Sequence, residues 1–307
     1  MWWLEAVADG FRQPYASIQV CAFRVILAAA MLFKFGYEHR RGGWRYFAPD
    51  SFIAYRFRRE HPDLPVGQTR YRILYLAKLA AAIGLLVGVL PRVSAVVAGI
   101  WFLFELTYDR KYHTAYLGLC SLFLAFSPAL GDALTYRTVL AALHSSVASV
   151  LAEEAARTQV DIFAQVLLVL LTAQMYLSSA YRKLRSEHFM SGAALHDFAG
   201  SLHRDRRLQR YRDTWYPPVM VRYLIDVPVA VARRRWRGPA VATVGAEFLL
   251  PVALLVPVTY PVAVAFGALM HAAFTALLPV RLVPFSLATF GSYLLFADPA
   301  RVLAWLG

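Results

Sequence analysis

The side chains of this sequence best suited to chemistry are ionisable groups set in or at the edge of apolar runs. Lys183 follows directly on the apolar residues 160–180, within Tyr181-Arg182-Lys183-Leu184. His113 opens another apolar segment at Tyr112-His113. Glu247 lies within Gly245-Ala246-Glu247-Phe248, His271 within Leu269-Met270-His271-Ala272, and Arg24 within Ala22-Phe23-Arg24-Val25. A desolvated amine can exchange a proton near neutral pH, because burial disfavours its charged form. Histidine and carboxylate groups beside it can relay that proton or stabilise developing charge. The chemistry implied is proton transfer in apolar surroundings.

Each of these residues also has a plain structural reading. Lys183 can snorkel towards headgroups, as its neighbours Arg182 and Arg185 can. His113 can bond a loop carbonyl. Arg24 can pair with Glu247 or bind a ligand oxygen, since a charge left unpaired in hydrocarbon is costly. His271 has no polar neighbour in sequence and needs a partner from another segment. When the apolar segments are threaded back and forth across a membrane, Lys183, His113, Glu247 and His271 fall towards the same side. Lys34 and Lys78 do so as well, and Arg24 sits deeper. The shared depth predicts a common polar cavity.

The elements that must position these groups are apolar helices. The 307 residues are 59% hydrophobic and 17% charged, with a mean hydropathy of +0.48. Soluble domains average about 25% charged residues, so the composition is that of an integral membrane protein. Hydrophobic windows predict about eight helices, at 18–37, 71–90, 93–108, 113–130, 160–181, 239–257, 260–278 and 283–297. The expected fold class is therefore all-α: a polytopic transmembrane bundle with amphipathic interfacial helices, forming a single domain over 1–307. Gly84 and Gly88 offer a small-residue face for close helix approach. Residues 131–159 alternate in polarity and predict an amphipathic surface helix. Residues 182–238 read as a long basic interfacial loop, with Trp215, Tyr216, Tyr223 and Trp236 set among arginines.

Lys and Arg concentrate in the odd-numbered loops. The positive-inside rule then places those loops in the cytoplasm and both termini outside, in a multi-pass protein of a prokaryotic cell membrane. The net charge of +13 reads as basic loops facing anionic lipid rather than as a nucleic-acid surface. Residues 1–19 lack a basic n-region and are not expected to form a secretory signal. Cys21 and Cys120 both lie in apolar segments and give no metal spacing. Glu105, Asp109 and His113, spaced by four, would share a face on one continuous helix, but a turn at Asp109-Arg110-Lys111 is the expected interruption. The sequence has no H-E-x-x-H pattern, P-loop or G-x-G-x-x-G, so neither a metal nor a nucleotide is expected. Prolines 251, 257 and 261 interrupt only the second half, which does not match the paired broken helices of a transporter.

Arg24, Tyr112-His113, Tyr181-Arg182-Lys183-Leu184 followed by Phe189 and Gly192-Ala193-Ala194-Leu195, Glu247 with Pro251, and His271 occur in an order that resembles the horizontally transferred transmembrane domain family. That family includes the vitamin K-dependent gamma-glutamyl carboxylase, and the likeness runs from about residue 18 to 297. It implies an enzyme in which Lys183 deprotonates reduced vitamin K or another quinol. Oxygen adds, the resulting strong base removes a proton from a substrate glutamate, carbon dioxide captures the carbanion, and the quinone leaves as an epoxide. The resemblance casts His113 and His271 as charge-stabilising histidines, and Arg24, Tyr112 and Glu247 as lining the substrate or cofactor site. Tyr112 stands where the carboxylase has asparagine. The expected partners are membrane lipids and a peptide or lipid substrate. A non-enzymatic membrane subunit that binds quinone or lipid, or assists maturation or export of a partner peptide, is the alternative.

Overall fold

The computed structural model describes residues 2–12, 14–64, 66–208, 216–277 and 282–297. The described residues are mainly helical. Their extended structure is a two-residue antiparallel pair, β1 (Tyr15–Ala16) with β2 (Thr158–Gln159), in the register Tyr15 to Gln159. Backbone contacts divide the chain into two units. Unit 1 comprises residues 1–169 and 287–307, and unit 2 comprises 170–286.

Unit 1 contains α1 (Trp2–Ala8), α2 (Ile18–Arg40), α3 (Phe52–Glu60), α4 (Gln68–Val87), α5 (Pro91–Leu106), α6 (Tyr112–Leu124), α7 (Tyr136–Ala142) and α8 (Val147–Ala155). It also takes the start of α9 (Phe163–Leu184). Helices α2, α4, α5 and α6 pack on one another. Gly88 ends α4 in the left-handed conformation (φ +71°), which suits a residue without Cβ. The expected surface helix over 131–159 is two short helices. Thr135 and Thr138 form a capping box at the start of α7, and the Ser146 hydroxyl caps α8.

Unit 2 contains the rest of α9, then α10 (Glu187–Met190), α11 (Ala193–Leu208), α12 (Pro218–Met220), a π-helical turn (Val221–Ile225), α13 (Val229–Leu255), α14 (Tyr260–Leu277) and the start of α15 (Val283–Ser292). The segment read as a loop over 182–238 is thus largely helical where it is described. Ala199, Tyr216, Ile225, Ala232 and Trp236 form a small apolar core there, and the Trp236 indole donates to the Leu224 carbonyl at 3.0 Å. Trp215 lies outside the described residues. Helix α13 starts ten residues before the expected 239–257 and includes the arginine run. Arginine is a good helix former, and Ala232, Trp236 and Ala240, four residues apart, turn to one buried face while Arg233, Arg234, Arg235 and Arg237 point outward.

Eight spans are not supported. Three described helices are long and apolar enough to cross a membrane: α2, α9 and α13. The other expected segments do form helices but fail on length or charge. At 1.5 Å per residue the 16 residues of α5 and the 13 of α6 reach only about 24 and 20 Å, short of the roughly 30 Å hydrocarbon core. Helix α4 has 20 residues but carries Arg70, Arg72 and Lys78. The apolar helices 260–276 and 283–296 are also shorter.

Gly192 marks a close backbone approach in unit 2. Its φ is +80°, and a Cβ there would meet the backbone of α13 at 2.6 Å from Arg237 N and 2.7 Å from Arg233 O. Gly192→Ala should lower stability by at least about 2 kcal/mol, from left-handed strain and overpacking together. Gly238→Ala, exposed in the interior of α13 where a Cβ meets nothing within 4 Å, should raise stability by about 0.5–1 kcal/mol, the helix preference of alanine over glycine. Equilibrium unfolding in detergent distinguishes the two.

Candidate functional site

Lys183 is the third of three basic or aromatic side chains that end α9, and helix periodicity separates it from its neighbours. The buried face of α9 in unit 2 runs Thr172, Tyr176, Ala180, and Lys183 continues it one turn further. Arg182 and Arg185 fall on the exposed side, whereas the Lys183 side chain is only 26% exposed. On α13 the buried face runs Val244, Glu247, Pro251, Leu254. The Glu247 side chain is 5% exposed, and its Oε1 accepts from Lys183 Nζ at 2.5 Å. Glu247 Oε2 is buried and has no hydrogen-bond partner among the described residues. The rings of Phe189 and Phe274 lie 5.4 and 5.8 Å from Lys183 Nζ.

His271 finds the partner its apolar surroundings demand. Its Nε2 is 2.6 Å from the hydroxyl of Tyr176, and both residues are buried, at 3% and 2% exposure. Phe274, one turn along α14, packs edge-on against the His271 ring with centroids 5.9 Å apart. Phe274 therefore touches both polar pairs. Tyr176 and Lys183 stand seven residues apart on the same face of α9, about 10 Å along its axis. Unit 2 thus gathers Lys183, Glu247, His271, Tyr176 and Phe274 into one constellation. An ammonium–carboxylate pair and a phenol–imidazole pair, separated by an aromatic ring, can hold and move protons and place a positive charge beside a developing anion.

The other candidates belong to unit 1. Arg24, fully buried, donates Nη2 to the carbonyls of Ala133 at 3.2 Å and Leu134 at 2.5 Å. Leu134 N and the Thr138 hydroxyl donate to Glu154, so arginine and glutamate together secure the 131–138 segment. Arg24 thus bonds backbone carbonyls through Nη2, while its buried Nε and Nη1 have no hydrogen-bond partner among the described residues; the bonded partner of Glu247 is Lys183. Tyr112, 42% exposed, is the first residue of α6, and His113 beside it is half-buried. The charges that act on His113 are those of Lys34, Lys111, Asp109 and Glu38. Helix α5 ends at Leu106, so Glu105, Asp109 and His113 do not share one helix face. Asp109 bonds Lys111 at 2.6 Å, and Glu105 bonds Lys34.

That last contact belongs to a buried quartet in unit 1. Lys34 bonds both Glu38 and Glu105, Lys78 bonds Glu38 at 3.0 Å, and the Trp101 indole donates to Glu105 at 3.2 Å. Lys78 Nζ also sits 4.2 Å from the ring centroids of Phe35 and Tyr75 and 4.6 Å from that of Trp101. Two cations and two carboxylates cancel, and the group ties α2, α4 and α5 together. Among the residues that sequence reasoning passed over are Glu38, Tyr176 and Phe274. Glu38 had a readable signal, four residues after Lys34. Tyr176 had a weaker one, two helical turns before Lys183. Nothing in the sequence marks Phe274.

No protein-family model, no curated protein and no solved structure matches this chain.

Lys34→Met should lower stability by about 3–5 kcal/mol, because it strands buried carboxylates. Lys34→Met with Glu105→Leu should be at least about 1 kcal/mol more stable than the sum of the single changes. A double-mutant cycle of detergent unfolding measures both quantities.

Proposed function

We propose that the protein is a multi-pass membrane enzyme, carboxylase-like in type, whose acid–base centre is the Lys183–Glu247 pair of unit 2. Its substrate in this reading is a quinol or a lipid-like hydroxyl compound. The observation that carries the proposal is the inward turn of Lys183, alone among the cations ending α9, onto a buried carboxylate. A headgroup anchor has no use for that carboxylate. The centre removes a proton from the substrate hydroxyl, and Lys183 occupies the position that the family resemblance gives to the base. Tyr176 and His271 form the neighbouring proton-holding pair, with Phe274 between the two. Oxygen would supply the oxidising power, and the reduced naphthoquinone would be the reductant that it converts to the epoxide. His113 enters this proposal on the resemblance alone, and no metal or nucleotide is invoked.

A second reading has its own support. A salt bridge between α9 and α13 clamps two membrane-length helices together, which is all that a non-enzymatic quinone- or lipid-binding subunit would require.

The two readings part on activity. Purified protein given reduced naphthoquinone and oxygen should form the epoxide, and Lys183→Ala should lower the rate by at least about 100-fold, the usual scale of acid–base catalysis. Absence of epoxide from the unaltered protein would remove the carboxylase-like reading. Quinone binding that persists in Lys183→Ala, without turnover in either protein, would favour the subunit.

A further inference from the structure

We infer that within this centre the proton acceptor is Glu247, through Oε2, and that Lys183 remains an ammonium ion that stabilises the oxyanion left behind. The inference rests on reading the pair as an acid–base centre and assigns the roles inside it, which differ from those implied by the family resemblance.

Three observations support the assignment. Lys183 Nζ is bonded to Glu247 Oε1 at 2.5 Å. An ammonium there compensates a buried carboxylate that would otherwise be left unpaired. Secondly, Glu247 is 4% exposed, yet its Oε2 is buried without a hydrogen-bond partner among the described residues. A buried acceptor left unmatched costs about 1–3 kcal/mol, and a donor hydroxyl placed there would recover that cost. Thirdly, Lys183 is the more open of the two, at 26% against 5% side-chain exposure. A ligand therefore arrives past the ammonium, whose Nζ lies over the rings of Phe189 and Phe274. Those rings suit a planar aromatic hydroxyl compound, a phenol or quinol, whose oxygen would meet Nζ and whose proton would face Oε2.

The step balances simply. The substrate O–H bond breaks, a bond forms from that hydrogen to Glu247 Oε2, and the electron pair stays on the substrate oxygen beside the Lys183 ammonium. A carboxylate is an intrinsically weaker base than a free amine. The ammonium offsets this by stabilising the anion as it forms, in surroundings where water does not screen the charge.

Glu247→Gln and Lys183→Arg test the assignment. Arginine keeps the positive charge but cannot be deprotonated in a protein, so it can stabilise an anion and cannot act as a base. With reduced naphthoquinone and oxygen, Glu247→Gln should lose at least about 100-fold in kcat/KM, and Lys183→Arg should lose less than about tenfold. Equal losses, or a larger loss in Lys183→Arg, would overturn the assignment. Infrared difference spectra with 1-naphthol, a hydroxyl probe that is not turned over, give a second measurement. The unaltered protein should show a shifted carboxylate stretch that vanishes in Glu247→Gln. No such shift would also overturn the assignment. If the unaltered protein forms no epoxide, the proposed enzyme activity fails, while the naphthol spectra still decide whether Glu247 meets a hydroxyl donor.

Discussion

Charge in apolar surroundings must be matched, and most of the packing described here follows from that constraint. An unpaired ammonium or carboxylate among apolar helices costs several kcal/mol, so each buried ion must find its partner on a helix that packs against its own. In unit 2, Lys183 on α9 holds Glu247 on α13. In unit 1, Lys34 and Glu38 on α2, Lys78 on α4 and Glu105 on α5 form a neutral group that binds three helices. Arg24 meets the same requirement only in part: Nη2 bonds backbone carbonyls, which carry dipoles rather than charge, and Nε and Nη1 stay unmatched among the described residues. His271 meets it with a phenol.

The matched groups differ in how completely they are matched, and that difference separates scaffold from candidate site. The quartet is internally complete: both lysines face carboxylates, Glu105 takes an indole N–H as well, and aromatic rings enclose Lys78. A group so saturated gives register and rigidity and leaves nothing to offer a ligand. The Lys183–Glu247 pair is not saturated. One carboxylate oxygen stays unmatched, the lysine is partly open, and two phenylalanines stand beside it. Buried groups left wanting a partner are expected at functional sites and are costly elsewhere.

Helix periodicity explains how far the site was legible. Lys183, Glu247 and His271 stood out because each is an ionisable group in an apolar run, and all three lie in unit 2. Arg24 and His113 stood out by the same rule, yet their neighbours are carbonyls and the charges of unit 1. The rule detects a group that needs a partner and is silent on which partner it finds. The number of spans was misread for a related reason. Hydropathy windows run across a turn when the flanking residues are apolar, so 113–130 reads as one long helix although α6 ends at Leu124 and the next residues turn. The arginine run at 233–237 was misread in the opposite sense: charge was taken as loop, when helix geometry lets arginines line one face while Trp236 packs on the other.

The sequence by itself determined that the chain is helical and apolar, and that a handful of ionisable residues would need partners. These are local properties, set by hydropathy and by the 3.6-residue turn. Only the tertiary structure decided the pairings: Lys183 with Glu247 across 64 residues of chain, Tyr176 with His271 across 95, and Lys34 with Glu105 across 71. It alone also left Glu247 Oε2 unmatched. The reason is physical. The cost of burying a charge is written in each residue, but the group that relieves it is chosen by which helices pack together, and that choice depends on the whole set of apolar faces at once.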